Sequence, residues 1–344
     1  MKFDFCVGNP PFQDTTLGNN DTYAPPVYNK FMDAAFTIAD KVELIHPARF
    51  LFDAGSTPKQ WNQKMLHDEH FKVLKYEEDC SKIFSNTDIK GGIAITYRDC
   101  DKKFGEIDIY VPREELNAIL HKIKNREDFV SLSSIIVSSY SYHFTEAVYV
   151  DFPKAKGKLS DGHEYDFKSN VFEKMPEPFV LKPIDGDKYV KILGRENNER
   201  AYRYIKAKYV KDDVCNLHYY KIFLPGATGV GRFGEAITMP ILGEPDTGST
   251  ETFLSIGSFR SENEAYNSIK YVQTKFARAM FGIKKKTQAN TPEKWEWVPL
   301  QDFTDKSDIN WNASISDIDK QLYKKYNLTD EEITFIETNV KEME

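Results

Sequence analysis

Cysteine is scarce in this chain: Cys6, Cys80, Cys100 and Cys215 are the only four in 344 residues. They are too few to staple a fold of this size and too scattered to form a metal-binding CxxC pair, so they are expected to be reduced, buried thiols. No apolar stretch approaches the roughly 20 residues that cross a bilayer, and the opening MKFDF lacks the long apolar core of a secretion signal. The expectation is a folded cytoplasmic protein with no membrane partner. Net positive charge is also missing. At a formal charge of −7 the chain exerts no global pull on nucleic acid, whose binding rests on Lys and Arg neutralising phosphates. Any such face must concentrate its cations locally, and the clusters that do so are Lys154, Lys156 and Lys158, then Lys206, Lys208 and Lys211, then Lys284, Lys285 and Lys286. Internal repeats and low-complexity tracts are absent too.

Hydrophobic residues make up 40% and charged residues 29%, the balance of an ordinary folded protein with room for two domains. Residues 1–115 read as an α/β layer with a mostly parallel sheet. Phe3–Val7 is a strand, and Pro26–Asp40 a helix carrying Val27, Phe31, Ala34, Ala35 and Ile38 on one face. Val42–His46 is the next strand. Thr57, Pro58 and Gln60 suggest an N-cap, a first helical position and a capping box for a helix to about Asp68. Phe71–Tyr76 and Gly91–Tyr97 follow as strands, with Phe104–Val111 as a last one.

Beyond residue 115 the pattern changes to tyrosine-rich β-like pieces separated by turns such as SDGH, IDGD and LPGATG. This predicts a second, mixed α+β domain over 116–300 and a helical tail over 301–344. Glu262–Phe281 has one apolar face of Ala265, Ile269, Val272, Phe276 and Met280. The tail contains a helix with Ile318, Leu322 and Tyr323. Another is opened by a Thr329–Glu332 capping box and carries Ile333, Ile336 and Val340.

The first strand ends on Gly8-Asn9-Pro10-Pro11-Phe12. Ligands of open α/β sheets sit beyond the carboxyl ends of strands, and two prolines hold the preceding residue extended. Asn9 is thereby fixed in a stiff loop. Its amide oxygen and the Pro10 carbonyl are acceptors suited to an exocyclic amino group, and Phe12 offers a face for a base pulled from its helix. This GNPPF sequence resembles the catalytic motif of amino-group, adenine-specific DNA methyltransferases of restriction-modification systems. IHPARFLFDAG (45–55), TDIKGGIAITYRDC (87–100), the stretch from Thr250 to Phe281 and the tail from Trp297 are similar to that family as well.

The resemblance implies part of a Rossmann-like methyltransferase sheet followed by a target-recognition domain. It implies methyl transfer from S-adenosylmethionine to a flipped adenine in double-stranded DNA, with no metal. Asn9, Pro10, Pro11 and Phe12 would be catalytic, and Gly8 and Asn9 would be the cofactor-contacting residues present. The loop from Gln13 to Tyr23 would close over the base. In that family the cofactor half precedes the NPPF strand, and here only eight residues do. The chain alone is therefore expected to be inactive. The chain is then a fragment, or an upstream partner polypeptide supplies the missing half, or that half lies in a permuted position at YYKIFLPGATGVGRFGEA (219–236), whose glycines mimic a cofactor loop. DNA contacts are expected from Arg260, Ser261, Asn263, Lys270, Lys275, Arg278, Lys284, Lys285 and Lys286. The rival reading is a non-catalytic DNA-recognition subunit, and methylation of RNA or a protein glutamine is a third. His67 and His70 read as a solvated helix end without a third metal ligand. Trp295 and Trp297 read as core aromatics.

Overall fold

Alternation of apolar residues along the first strand, and a helix between it and the second, produce a βαβ unit. The computed structural model, which describes residues 2–14, 24–85 and 89–343, divides the chain into a unit of residues 1–117 and another of 118–344. In the first, β1 (Phe3–Gly8) lies parallel to β2 (Ala39–Pro47), with Phe5 opposite Lys41 and Gly8 opposite Leu44. Parallel neighbours need a crossover, supplied in part by α1 (Tyr28–Ile38). This helix contributes Tyr28, Met32 and Ala35 to the core that also holds Val42 and Leu44. The buried stripe is therefore turned from the expected one: Phe31 and Ile38 are 47% and 46% exposed. Both stripes are apolar, and the larger Tyr28–Met32 pair wins the core.

After β2 come α2 (Lys59–Leu66), β3 (Phe71–Glu77) and β4 (Ile93–Asp99). The sheet order is β1-β2-β4-β3, with β4 antiparallel to both neighbours. The sheet is mixed, not mostly parallel, because β4 runs back against both β2 and β3. Two further expectations are corrected. Thr57 donates its hydroxyl to Asn62 Oδ1 at 2.7 Å and Pro58 occupies the N-cap without a side-chain bond, so no capping box forms with Gln60. Phe104–Val111 is not a strand: Gly105 and Asp108 take φ of 89° and 54°, and the Ile107 and Asp108 amides both bond to Leu66 O.

A helix, α3 (Glu114–Lys124), spans the division between units. Unit 2 then builds β5 (Ile136–Val137), β6 (Tyr142–Phe144), α4 (Ala147–Asp151), α5 (Val171–Lys174), β7 (Phe179–Val180), β8 (Tyr189–Glu196), β9 (Glu199–Lys206), β10 (Val210–Asp212), β11 (Tyr220–Pro225), β12 (Ile241–Gly243), β13 (Thr247–Ser249) and β14 (Phe253–Phe259). These form sheets ordered β12-β11-β14-β5 and β13-β8-β9-β7 and the pair β10-β6. One face of β8 and β9 closes over a core containing Tyr142, Phe144, Phe167, Phe172, Ile192 and Ile205.

The expected helix over 262–281 is two: α6 (Glu262–Gln273) and α7 (Lys275–Phe281). Thr274 leaves helical geometry at φ −58°, ψ 148°, and its hydroxyl accepts the Ala277 amide. Asp319 accepts the amides of Lys275 and Phe276 at 2.9 and 2.8 Å, satisfying donors that the break exposes. Asp319 sits on α8 (Ile315–Lys325). The chain closes with α9 (Asp330–Asn339), opened by the expected Thr329–Glu332 capping box. Cys80 is buried, Cys6 and Cys100 are half-buried, and Cys215 is exposed, the last in a turn at φ 57°. Among the described residues no helix is long and apolar enough to cross a membrane.

Candidate active site

Beyond Gly8 the two prolines deny the chain any further ladder donors, and β1 gives way to an irregular turn. Asn9 is exposed, Pro10 buried, Pro11 exposed and Phe12 half-buried. The turn is held at both ends. Gly8 pairs with Leu44, while Phe12 O accepts the Val27 amide at 3.2 Å and the Asp14 amide donates to Pro25 O at 2.9 Å. The Phe12 ring meets Phe84 edge-on, centroids 5.9 Å apart. An exposed amide thus directly precedes a buried proline in a turn that ends on an anchored aromatic. Of the loop expected to close over this turn, residues 15–23 lie outside the described residues.

His46, at the end of β2, lies in the family-like stretch 45–55 but is not among the residues expected to act in catalysis or binding. Its Nδ1 is 3.1 Å from Pro47 O and its Nε2 2.7 Å from Thr96 Oγ1. A carbonyl only accepts, so Nδ1 carries the proton and Nε2 accepts from the Thr96 hydroxyl. Its ring stacks on Tyr28 at 5.8 Å and 5°. Burial pushes the imidazole down to about 4 and the Tyr28 phenol up to about 12, the latter opposed by a bond to Thr57 and the charge of Arg49. One signal for it does exist: period-2 spacing places His46 on the same face as Val42 and Leu44.

The residues expected to touch DNA separate into two groups. Arg260 and Asn263 are exposed. Ser261 is the N-cap of α6 and accepts the Glu264 amide. The others are drawn into the fold, which corrects the picture of a basic helix end facing solvent. Lys270 Nζ donates to Trp311 O at 2.6 Å, Lys275 pairs with Glu337 at 2.6 Å, and Lys284 pairs with Glu296. Arg278 is 2% exposed and donates from Nε to Gln273 O. Lys286 is buried too. Lys285 donates to the carbonyls of Thr228, Thr287 and Gln288, and burial pushes its ammonium down to about 8. A lysine caged by three carbonyls inside the fold has no donor left for a phosphate.

The glycine loop after β11 is occupied from within. Glu235 accepts the Val230 amide at 3.0 Å and the Gly231 amide at 2.8 Å, so the donors that could cradle a cofactor carboxylate already hold one. A Cβ at Gly231 would lie 2.4 Å from the Thr287 nitrogen, which leaves that side of the loop no room. Of the remaining decoys, His67 faces Gln63 O and His70 the carbonyls of Asp99 and Lys102. No group of three metal-ligating side chains occurs among the described residues. Trp295 is buried against Phe281, centroids 4.0 Å apart.

Comparison with known proteins adds three findings. Residues 1–84 match the family model described as Eco57I restriction-modification methylase. Over 95 residues the chain is 28% identical to an uncharacterized adenine-specific methylase of Mycoplasma pneumoniae, a match covering 27% of this chain and 22% of that protein. Among solved structures, the type IIL restriction-modification enzyme MmeI in complex with DNA aligns with 97% of this chain and 56% of its own, at 9% identity and a TM-score of 0.41. The chain thus spans about a fifth of the length of its curated relative.

Proposed function

We propose, on the premise that residues 1–84 are a restriction-modification methylase segment, that the chain is the base-positioning and target-recognition part of a site-specific adenine DNA methyltransferase. The observation that carries this is the Asn9–Phe12 turn at the carboxyl end of β1, with its amide exposed and both flanks tied down. An extruded adenine placed there gives its two amino hydrogens to Asn9 Oδ1 and the Pro10 carbonyl. Its ring rests on Phe12. Fixing the amine in this way aims its lone pair outward, and orientation of that kind accounts for several kcal/mol of a transfer barrier.

S-adenosylmethionine would supply the methyl group, but the described residues do not complete a berth for it. Gly8 and Asn9 are all that β1 contributes, and the loop at 226–235 is filled by Glu235. The half-sheet that holds the cofactor is therefore assigned to another stretch of polypeptide, paired along β1. Support comes from β1 itself: it is an edge strand, and Phe3, Phe5 and Val7 on one of its faces are 56%, 63% and 74% exposed. An exposed apolar edge invites strand addition, and a Rossmann-like sheet is what such an addition would complete. The same bare edge favours the second reading, a recognition subunit that binds DNA without transferring methyl groups.

Tritiated S-adenosylmethionine and plasmid DNA separate the two. Label should enter DNA only when the polypeptide bearing the glycine-rich half is added, and calorimetry should detect little cofactor binding to this chain alone. Tight binding of cofactor by the isolated chain would reject the divided site. Absence of transfer in the presence of both parts would leave the recognition subunit.

A further inference from the structure

The hairpin of β8 and β9 sorts its side chains by face. Its turn, Asn197–Asn198, takes φ of 50° and 64°, the left-handed pair that matches the twist of a two-residue hairpin. The register is fixed accordingly: Tyr189 stands opposite Lys206, Lys191 opposite Tyr204, Leu193 opposite Tyr202 and Arg195 opposite Arg200. Opposed residues share a face. The other face carries Val190, Ile192 and Ile205 into the core, which Leu193 of the first face also enters, with Tyr202 packed against it. The other face also holds Glu196, paired with Arg203, which lies over the Phe172 ring.

One face therefore displays four cations interleaved with three tyrosines, while the hairpin's Glu196 and Glu199 point the opposite way. Between 187 and 206 there are six basic and three acidic residues in a chain whose net charge is −7. At one end the cations have partners: Lys191 lies 3.5 Å from Glu244 and 4.7 Å from the Tyr202 ring centre, and Lys206 lies 2.7 Å from Asp187. At the other end Arg195 and Arg200 are both exposed and directly opposed, with Arg195 Nη2 reaching Asn198 O at 2.6 Å. Like charges opposed across a ladder are unfavourable, and an anion between them reverses the sign.

We propose that this ribbon face is a contact surface for duplex DNA, with Arg195 and Arg200 taking phosphates and Tyr189 and Tyr204 lying against the sugar edge. The choice of partner rests on the methyltransferase reading above; the choice of surface does not. Beyond the pairings of β13 with residues 191–193 and of β7 with residues 204–205 the hairpin tip is two-stranded, a ribbon has the width that a major groove admits, and guanidinium forks suit phosphate.

The test is fluorescence anisotropy of the full chain with labelled duplex DNA over a potassium chloride series. Arg195→Gln and Arg200→Gln together should weaken binding at least tenfold at low salt and flatten the log–log salt slope by about 2, close to one unit per phosphate lost. Melting should be unchanged, since both side chains are exposed; if the pair fails to melt cooperatively, Arg200→Gln alone is read and should flatten the slope by about 1. Wild-type affinity and slope in a folded variant would overturn the surface and spare the DNA reading. A wild-type chain that ignores duplex at low salt would overturn both. Loss of binding confined to structured RNA would overturn the duplex as partner.

Discussion

On the proposed reading Asn9 positions the reacting amine, and its surroundings make a sharp expectation. Because it is exposed and its loop is tied down by Gly8, Phe12 and Asp14, Asn9→Ala should leave the fold and DNA affinity intact. It should lower methyl transfer by on the order of 100-fold or more, the usual loss when one pre-aimed hydrogen-bonding group is removed from a reaction centre. His46 makes a different prediction. It is neutral in the fold down to about pH 4, whereas in the unfolded chain it charges near 6.5. Protons therefore favour the unfolded chain as pH falls from 6.5 to 4, and about 3 kcal/mol of stability should drain away across that window. Urea unfolding at several pH values should show this loss in the wild type, and a much smaller one from this site in His46→Leu. Asn9 is legible in the sequence because two prolines give a loop its stiffness without any tertiary help. His46 is not, because its neutrality comes from burial, which only the fold supplies and which outweighs the opposing pull of the adjacent Pro47 carbonyl.

The elements show where periodicity runs out. α1 has two apolar stripes, and spacing cannot say which one meets the sheet; Tyr28 and Met32 do, leaving Phe31 and Ile38 outside. The 262–281 segment reads as one helix because nothing in it is a breaker. Its interruption at Thr274 is held by a carboxylate far along the chain, that of Asp319. Asp319→Ala should cost about 3 kcal/mol in urea unfolding, since it orphans two helix-start amides and removes a counter-charge of the buried Arg278. The lysines at 284–286 mislead in the same way, because the cage around Lys285 is closed by the distant Thr228 carbonyl. By contrast the Thr329–Glu332 box is local and legible. Gly92 is constrained across the sheet instead: at φ 76° an added Cβ would sit 2.5 Å from Glu77 O on the neighbouring strand. Gly92→Ala should therefore loosen the β3–β4 pairing by about 2 kcal/mol or more, visible as a lowered melting temperature.

At the scale of the whole molecule, the proposed reading puts a base-gripping turn on a sheet edge that would receive a further strand. Phe3→Lys with Val7→Lys should barely alter the melting temperature of this chain, because both native side chains are exposed and Val7 stands opposite Glu43, a welcome neighbour for an introduced cation. It should block joint activity with the cofactor-bearing polypeptide, because charged residues guard an edge against strand addition. The most direct measurement is nucleoside mass spectrometry of DNA incubated with S-adenosylmethionine and both parts of the enzyme, using wild type and Asn9→Ala side by side. The account predicts N6-methyladenine with the wild type and its disappearance with Asn9→Ala at unchanged DNA affinity. Methylation of cytosine, or adenine methylation that persists without Asn9, would contradict it.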